Sequence, residues 1–400
     1  MKILFVSLAV PIPTTNGHRM RDRGIVAALA AAGHEITLLS YAKPEECRAP
    51  SPELFKYCSE VHVVEEPVPS SRFWQYWDRL ECLVSGQPYG AYRLRTEEMQ
   101  FAVRDLLRTG GFDVILCDDI YMAGNLPNDS LPPIWLNKHD ITHEIVDRFL
   151  QLERNPLKRM YGRIEYRRIR RMEVGACSSA SIVFACSERD QAIVEQLCPG
   201  TKVCMLPNVI DVDSYTPAAE DDGRTTLYVG SMDWFPNSDA VEFYLQEIFP
   251  VVRQTVPDAR FVVAGRNPST ALVDRYSGMP GVEFTGTVAD IRPIIAKAAV
   301  CVVPLRIGSG TRLKILEAGA MTKAVVSTTI GAEGLDLDNG KEILIADNPI
   351  KFADAVCDML KQPSERRAIG VAARYKVEQH YSLAALGRAI TAVTDTATAA

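Results

Sequence analysis

Long apolar runs are missing from this sequence of 400 residues. None approaches the ~18 consecutive apolar residues that a bilayer-crossing helix needs, so no membrane span is expected. The opening M-K-I-L-F-V-S-L-A-V-P does not read as a signal peptide. Its apolar run is short, Pro11 and Pro13 interrupt it, and no A-x-A site follows. It reads instead as a first buried strand. Cysteine pairing is missing too. The ten Cys form no C-x-x-C pair and no close, even framework. Cys117 and Cys301 lie in strand-like runs, Cys177 and Cys357 on helical patterns, which suits buried reduced thiols in a cytosolic protein. Cys–His clusters at ligand spacing are absent, so zinc is not expected. There is no excess of positive charge: net charge is −6 and pI about 5.7, so nucleic acid is not an expected partner. No repeat of 20–50 residues is visible, which argues against a solenoid.

What is present is an ordinary globular composition, 47% hydrophobic and 24% charged, in a chain long enough for two or three domains. Strand and helix patterns alternate: strands at Lys2–Leu8, Glu35–Ser40, Val61–Val64, Asp113–Cys117, Ile134–Leu136, Ile182–Ala185 and Val203–Met205, with an amphipathic Met20–Ala32 helix after the first. This βαβ rhythm predicts a parallel sheet covered on both faces. It restarts with strands at Thr225–Val229, Arg260–Ala264, Val282–Thr285, Val300–Val303, Ala324–Thr328 and Ile343–Ile345, and a helix over Asp239–Val256. The fold class is therefore α/β, with two doubly wound Rossmann-like domains, residues 1–207 and 208–380. A polar join lies at Asp213–Gly223, and a C-terminal helix in 381–400 is expected to pack back on the first domain. Tandem domains of this kind place a cleft at the carboxyl ends of their strands.

The richest stretch is Val303–Leu335. It reads as a buried strand, a turn with Gly308, Ser309 and Gly310, a helix opening near Thr311, and a second strand. A glycine turn opening a helix presents unpaired N–H groups and the positive end of the helix dipole. Arg312 and Lys314 fall in the first turn, where they oppose the dipole. An anion between them, a phosphate or diphosphate, explains that placement; the plain alternative is a turn that needs Gly for geometry alone. Glu317, farther along, can accept both hydroxyls of a ribose, or pair with Lys314 at i, i+3.

Other strand ends add candidates. Gly17, just before the first helix, can let a phosphate approach the backbone. His139 in Lys138-His139-Asp140 follows the Ile134–Leu136 strand, in a chain with only six His. It can donate a hydrogen bond to a sugar hydroxyl or a leaving-group oxygen, or be an ordinary loop histidine; His143 is the spare. Gly230 opens the turn after Thr225–Val229, where Asp233 either meets a hydroxyl or caps the next helix. Arg266 follows Arg260–Ala264. Arg154–Glu173 is strongly basic, either a solvated helix face or a surface for anionic headgroups. Phe73-Trp74-Gln75-Tyr76-Trp77 is an aromatic cluster that either dips into an interface or acceptor groove or packs under a loop.

Taken in order, Gly17, His139-Asp140, Cys186-Ser187-Glu188, Leu206-Pro207-Asn208-Val209-Ile210-Asp211, Val229-Gly230-Ser231, Val263-Ala264-Gly265, Gly286-Thr287-Val288-Ala289-Asp290 and Leu316-Glu317-Ala318 resemble the GT-B glycosyltransferases, in particular the retaining family-4 group and its bacterial exopolysaccharide and cell-surface members. The resemblance covers nearly the whole chain. It implies a nucleotide-sugar donor on the second domain, an acceptor (glycan, lipid-linked or small molecule) on the first, and transfer with retention in polysaccharide or glycoconjugate biosynthesis. Two departures stand out. The family's E-x7-E pair keeps its second glutamate at Glu317, but Ser309 occupies the place of the first, which helps hold the donor sugar. The usual Arg and Lys diphosphate clamp is also missing from Gly230–Asn237, and Arg312 and Lys314 are expected to take over that charge.

On this reading His139, Arg312 and Lys314 are catalytic, and Gly17, Gly230, Arg266, Gly308, Ser309, Gly310, Thr311 and Glu317 hold the donor. No metal and no cofactor other than the donor substrate is expected. The protein is placed in the cytoplasm, with peripheral contact at the inner face of the membrane. The rival readings are a nucleotide-sugar epimerase on the same fold and a catalytically silent nucleotide-sugar-binding protein.

Overall fold

The computed structural model describes the chain except residues 68–77, 80, 83–84, 129–130, 218–220 and 399–400. The Phe73–Trp77 aromatic cluster therefore lies outside the described residues, as does part of the polar join. The chain divides into two compact units, Met1–Pro207 with Leu386–Ala400, and Asn208–Ala385.

The first unit is built on a seven-stranded parallel sheet. Its strands are β1 (Lys2–Ser7), β2 (Glu35–Ala42), β3 (Glu60–Glu65), β4 (Val114–Asp118), β5 (Ile134–Asn137), β6 (Ile182–Ala185) and β7 (Val203–Met205), in the order β3-β2-β1-β4-β5-β6-β7. The central strands are near-continuous apolar runs because helices cover both faces. Leu4, Val6, Ile115, Cys117 and Leu136 are buried in one cluster with Met99, Val103 and Ile120. Strand order reverses between β1 and β4, so the loops leaving those two strands diverge and leave room for side chains at their carboxyl ends.

The second unit repeats the plan with six parallel strands: β8 (Thr225–Val229), β9 (Arg260–Ala264), β10 (Val282–Gly286), β11 (Val300–Val303), β12 (Ala324–Ser327) and β13 (Leu344–Ile345), in the order β10-β9-β8-β11-β12-β13. Its reversal falls between β8 and β11. At the end of β9, Gly265 has φ +153°, and a Cβ there would sit 1.8 Å from the Gly230 carbonyl oxygen. The backbones leaving β8 and β9 touch only because residue 265 is glycine.

The expected Asp239–Val256 helix is broken into Phe235–Phe243, a π-helical turn at Tyr244–Ile248, and Phe249–Thr255. Pro250 accounts for the break. It lacks an N–H, and its ring would clash with the carbonyl four residues back, so the chain widens by one residue. Burial of Tyr244 against Phe261, with ring centroids 4.4 Å apart, holds the wider turn in the core.

Candidate active-site residues in the two units

In the first unit the reversal point gathers His18 and Asp22 from the helix Gly17–Ala31, Asp118 from the end of β4, and Asn137 and His139 from the end of β5. The Asp118 carboxylate takes four donors. His18 Nε2 at 2.6 Å and the Leu8 N–H at 3.3 Å meet Oδ2; His139 Nε2 at 2.6 Å and Asn137 Nδ2 at 2.9 Å meet Oδ1. Burial works to raise the Asp118 pKa, but the two imidazoles outweigh it and hold the group well below the usual carboxylate range. Asp22 shares the pocket, accepting from Ser7 Oγ at 3.2 Å and Asn137 Nδ2 at 3.3 Å. Burial and the neighbouring Asp118 charge push Asp22 well above its ordinary range. The buried Arg21 guanidinium locks the arrangement, donating to Asn137 Oδ1 at 3.0 Å and the Leu206 carbonyl at 2.7 Å.

The His18 and His139 rings stack with centroids 3.7 Å apart at 14°. Two imidazolium ions cannot share that stack cheaply, and the pair divides. Burial opposes charge on His18, but Asp118 and Asp22 carry it up to about 10. Burial and the adjacent His18 push His139 down to about 4. The ligand atoms of His18, Asp22, Asp118 and His139 lie within 4.8 Å of one another, so among the described residues this is the cluster close enough to hold an ion. Its geometry is that of shared protons. The shortest contacts are 2.6 Å hydrogen bonds, and two rings in stacked, near-parallel planes cannot both hold one ion in plane.

Behind His139 lies a buried ion pair. Lys138 Nζ meets Glu173 Oε1 at 2.5 Å, and the other carboxylate oxygen meets His143 Nδ1 at 2.5 Å. Burial works against the Lys138 charge, but Glu173 more than offsets it and raises the group further. Cys186 Sγ closes the same loop on the carbonyls of Lys138 and His139, at 3.1 and 3.3 Å. His143, the spare candidate, is thus part of the support for the His139 loop. Gly17 is the first residue of its helix, exposed, with the Asn16 side chain capping the Arg19 N–H.

In the second unit the turn after β11 carries Gly308 (φ +143°) and Gly310 (φ +73°) and leads into the helix Leu313–Ala320. The helix starts two residues later than expected, and this changes the role of Arg312. It is the N-cap residue. Its guanidinium folds back onto the carbonyls of Ser309 and Gly310 and fills the space beside Gly308, where a Cβ would meet Arg312 Nη2 at 2.4 Å. Arg312 therefore braces the turn, and Lys314 alone of the two cations stands in the first helical turn. Lys314 Nζ lies 4.1 Å from the Tyr228 ring centroid and donates to Tyr228 Oη at 2.9 Å and Asn237 Oδ1 at 3.0 Å. Burial and nearby Arg312 push its pKa down to about 7, against a smaller opposing pull from Glu317.

Glu317 does not hydrogen-bond to Lys314. It accepts from Tyr215 Oη at 2.7 Å, and burial pushes its carboxyl upward. Thr311 Oγ1 accepts from Asn208 Nδ2 at 2.6 Å. Ser309 is buried. Gly230 packs on Asn237, whose amide donates to the Ser231 carbonyl at 2.8 Å. Arg266 donates through Nε to Ser231 Oγ at 2.6 Å. Asp233 is not a helix cap: it accepts from Asn267 Nδ2 at 3.0 Å, and Trp234 is the N-cap residue.

Sequence reasoning missed His18, Asp22, Asp118 and Asn137 in the first unit and Tyr215, Tyr228 and Asn237 in the second. A usable signal existed for two of them. His18 and Asp22 lie four apart on the helix that leaves β1, so they share a face.

Residues 223–362 match the family described as Glycosyl transferases group 1. An uncharacterized 44.6 kDa protein in the cps region of Klebsiella pneumoniae is 24% identical over 95% of this chain and 96% of its own. A GDP-mannose-dependent monoacylated alpha-(1-6)-phosphatidylinositol monomannoside mannosyltransferase of Corynebacterium glutamicum is 26% identical over 46% of this chain and 54% of its own. Among solved structures, a sucrose-phosphate synthase from Thermosynechococcus elongatus superposes with a TM-score of 0.76 at 17% identity, covering 100% of this chain and 99% of that one. The chain has the GT-B fold, and the resemblance to group 1 glycosyltransferases stands.

Proposed function

We propose that this protein moves a sugar from a nucleotide-diphosphate sugar to an acceptor hydroxyl, with retention at the anomeric carbon, in polysaccharide or glycoconjugate assembly. One observation carries the donor half of the reading. A desolvated lysine, Lys314, stands in the first turn of a helix entered through the Gly308–Gly310 turn. Helix-end N–H groups and a cation there suit a departing diphosphate, where negative charge grows in the transition state. Glu317 takes the ribose, and Arg312 holds the turn in shape. In the first unit His139 is the group suited to a sugar hydroxyl. A sugar-nucleotide donor is supported by the name of the Corynebacterium relative, and a polysaccharide role by the cps-region protein of Klebsiella.

A screen of UDP-, GDP-, ADP- and dTDP-sugars tests the reading. Nucleotide release that needs an added acceptor and no divalent ion is the expected result. An isomerised donor without release would establish the epimerase instead. Tight nucleotide binding with no turnover would establish the silent protein, the reading that Ser309 in place of glutamate favours.

We infer that the acceptor is met at an anionic membrane face in the cytoplasm. The basic helix Pro156–Ser179 exposes Arg159, Arg163, Arg167, Arg170 and Arg171, with Leu157 and Met160 at 71% and 60% exposure beside them. Cations flanking exposed apolar side chains suit anionic headgroups over an acyl boundary. All ten cysteines are free thiols, in keeping with a reducing compartment. Among the described residues no helix is long and apolar enough to cross a membrane. Sedimentation with phosphatidylglycerol vesicles at low and high salt tests this; no binding at low salt would remove the membrane from the reading.

A further inference from the structure

We infer that His18, with Asp118 and Asp22, is a positioning residue that fixes His139 as the Nε2–H tautomer, so that His139 meets a hydroxyl of the bound sugar as a hydrogen-bond acceptor through Nδ1. This reverses the direction expected from sequence, where His139 was to donate. It relies on the transferase reading only for the identity of the hydroxyl.

Asp118 is the anion of the cluster: the Leu8 and Asn137 N–H groups donate to it, and the two imidazoles hold its pKa well below the ordinary range. Both 2.6 Å contacts then require a proton on Nε2, one on His18 and one on His139. That leaves Nδ1 of His139 to be settled. Among the described residues the ring's polar contacts all run through Nε2, and the His139 side chain keeps 12% exposure. A second proton there would make His139 a cation stacked 3.7 Å from His18. The charge belongs to His18, which lies nearer the second carboxylate: 3.4 Å from Asp22 Oδ2, against 3.7 Å from His139 to Asp22 Oδ1. His139 is left neutral, with its remaining lone pair on Nδ1. Burial and the His18 charge act in the same direction.

The arrangement is also held against drift. Asn137 bridges Asp22 and Asp118 through one Nδ2, and Arg21 holds the Asn137 carbonyl oxygen, which fixes the amide orientation. The remaining charged groups around His139 are Asp119 beyond β4 and Lys138 and Asp140 on either side in sequence. Lys138 is bonded to Glu173, and Asp140 accepts from Thr142 Oγ1 at 3.0 Å. The Cys186 thiol bonds to the His139 carbonyl, not to the ring.

The test is the long-range 1H–15N spectrum of the full-length protein labelled at histidine, with His139→Asn used to assign the His139 signals. At pH 7 the expected pattern is a protonated Nε2 and a bare Nδ1 for His139, and two protonated nitrogens for His18. A His139 found as the Nδ1–H tautomer or as imidazolium overturns the inference. So does one equivalent of Zn²⁺ retained in equilibrium dialysis, since an ion would need both lone pairs that the protons occupy. In His18→Asn, His139 should take its second proton more than one pH unit higher than in the parent protein; an unmoved titration overturns the inference. The parent spectrum decides the tautomer even if that variant fails to fold. Because it is read on the free protein, a failed donor screen leaves it standing, and a wrong tautomer leaves the transferase reading untouched.

Discussion

The two units place charge at equivalent points of their sheets, but in opposite states of balance. At the β1/β4 reversal two carboxylates, two imidazoles and an amide satisfy one another: Asp118 is the shared anion, His18 carries the positive charge and His139 is neutral. At the β8/β11 reversal Lys314 and Arg312 lie close with Glu317 as the opposing carboxylate, and Glu317 itself is pushed toward neutrality by burial. A balanced cluster has nothing to gain from an ion; it fixes geometry and tautomer. A desolvated lysine in the first turn of a helix gains from an anion. The same topological feature thus holds a self-satisfied cluster in one unit and a desolvated lysine at a helix start in the other.

Removing the counter-charge behind the balanced cluster should have the largest effect. Glu173→Gln leaves Lys138 buried without its anion, and a stranded buried charge costs about 3–5 kcal/mol. Chemical denaturation should show that loss. The pH dependence has a definite sign. Burial works to raise the Glu173 pKa, but Lys138 and His143 hold it down to about 2. Its contribution is therefore complete above the unfolded carboxyl value of ~4.3 and is lost as pH falls from there toward 2. The variant should lack that acid-side slope. In the unbalanced unit the expected outcome is the opposite. Lys314→Ala removes a charge that burial already penalises, so folding stability should hold within about 1 kcal/mol. Turnover should fall ~10²–10³-fold, as when one charge-stabilising group is removed from an acyl-transfer site. A variant with unchanged turnover would return the diphosphate to another group.

Much of the architecture was legible because it is periodic. Apolar runs such as Ile182–Ala185 and Thr225–Val229 fix buried parallel strands with the same bounds in the structure. The broken helix was not read, although Pro250 was there to see, because the apolar pattern continues across it. The candidate site was half legible. Gly308, Gly310, Lys314 and Glu317 advertise themselves by glycine and charge at a strand–helix turn. Arg312 carries the same signal but turns back onto its own loop carbonyls, a choice made by two residues of helix start that composition does not register. The Asp118 cluster stayed hidden because its members lie up to 121 residues apart, from His18 to His139, and only the strand order brings them together.

The protonation of Lys314 makes donor binding depend on pH. With the Lys314 pKa at about 7 in the free protein, a bound diphosphate should raise it, because a nearby anion favours the ammonium. Below pH 7 donor affinity should then be flat on account of this group. Above it, each donor bound must bring a proton with it, and affinity should fall up to ~10-fold per pH unit. Calorimetry at pH 8 in two buffers of different ionisation enthalpy should show proton uptake, and Lys314→Arg, which stays charged throughout, should not.

The smallest expected effect isolates one hydroxyl. Tyr215→Phe removes the single donor that Glu317 Oε1 receives from Tyr215, at 2.7 Å. The carboxyl loses a contact that favours its charged form, so its pKa should climb further, and a protonated Glu317 accepts ribose hydroxyls less well. One hydrogen bond is worth ~0.5–1.5 kcal/mol, so donor Kd should weaken between about 2- and 12-fold, with the melting curve little changed. The loss should be confined to ribosyl nucleotides. An equal loss for inorganic diphosphate would place Glu317 on the phosphates and move the ribose elsewhere in the unit.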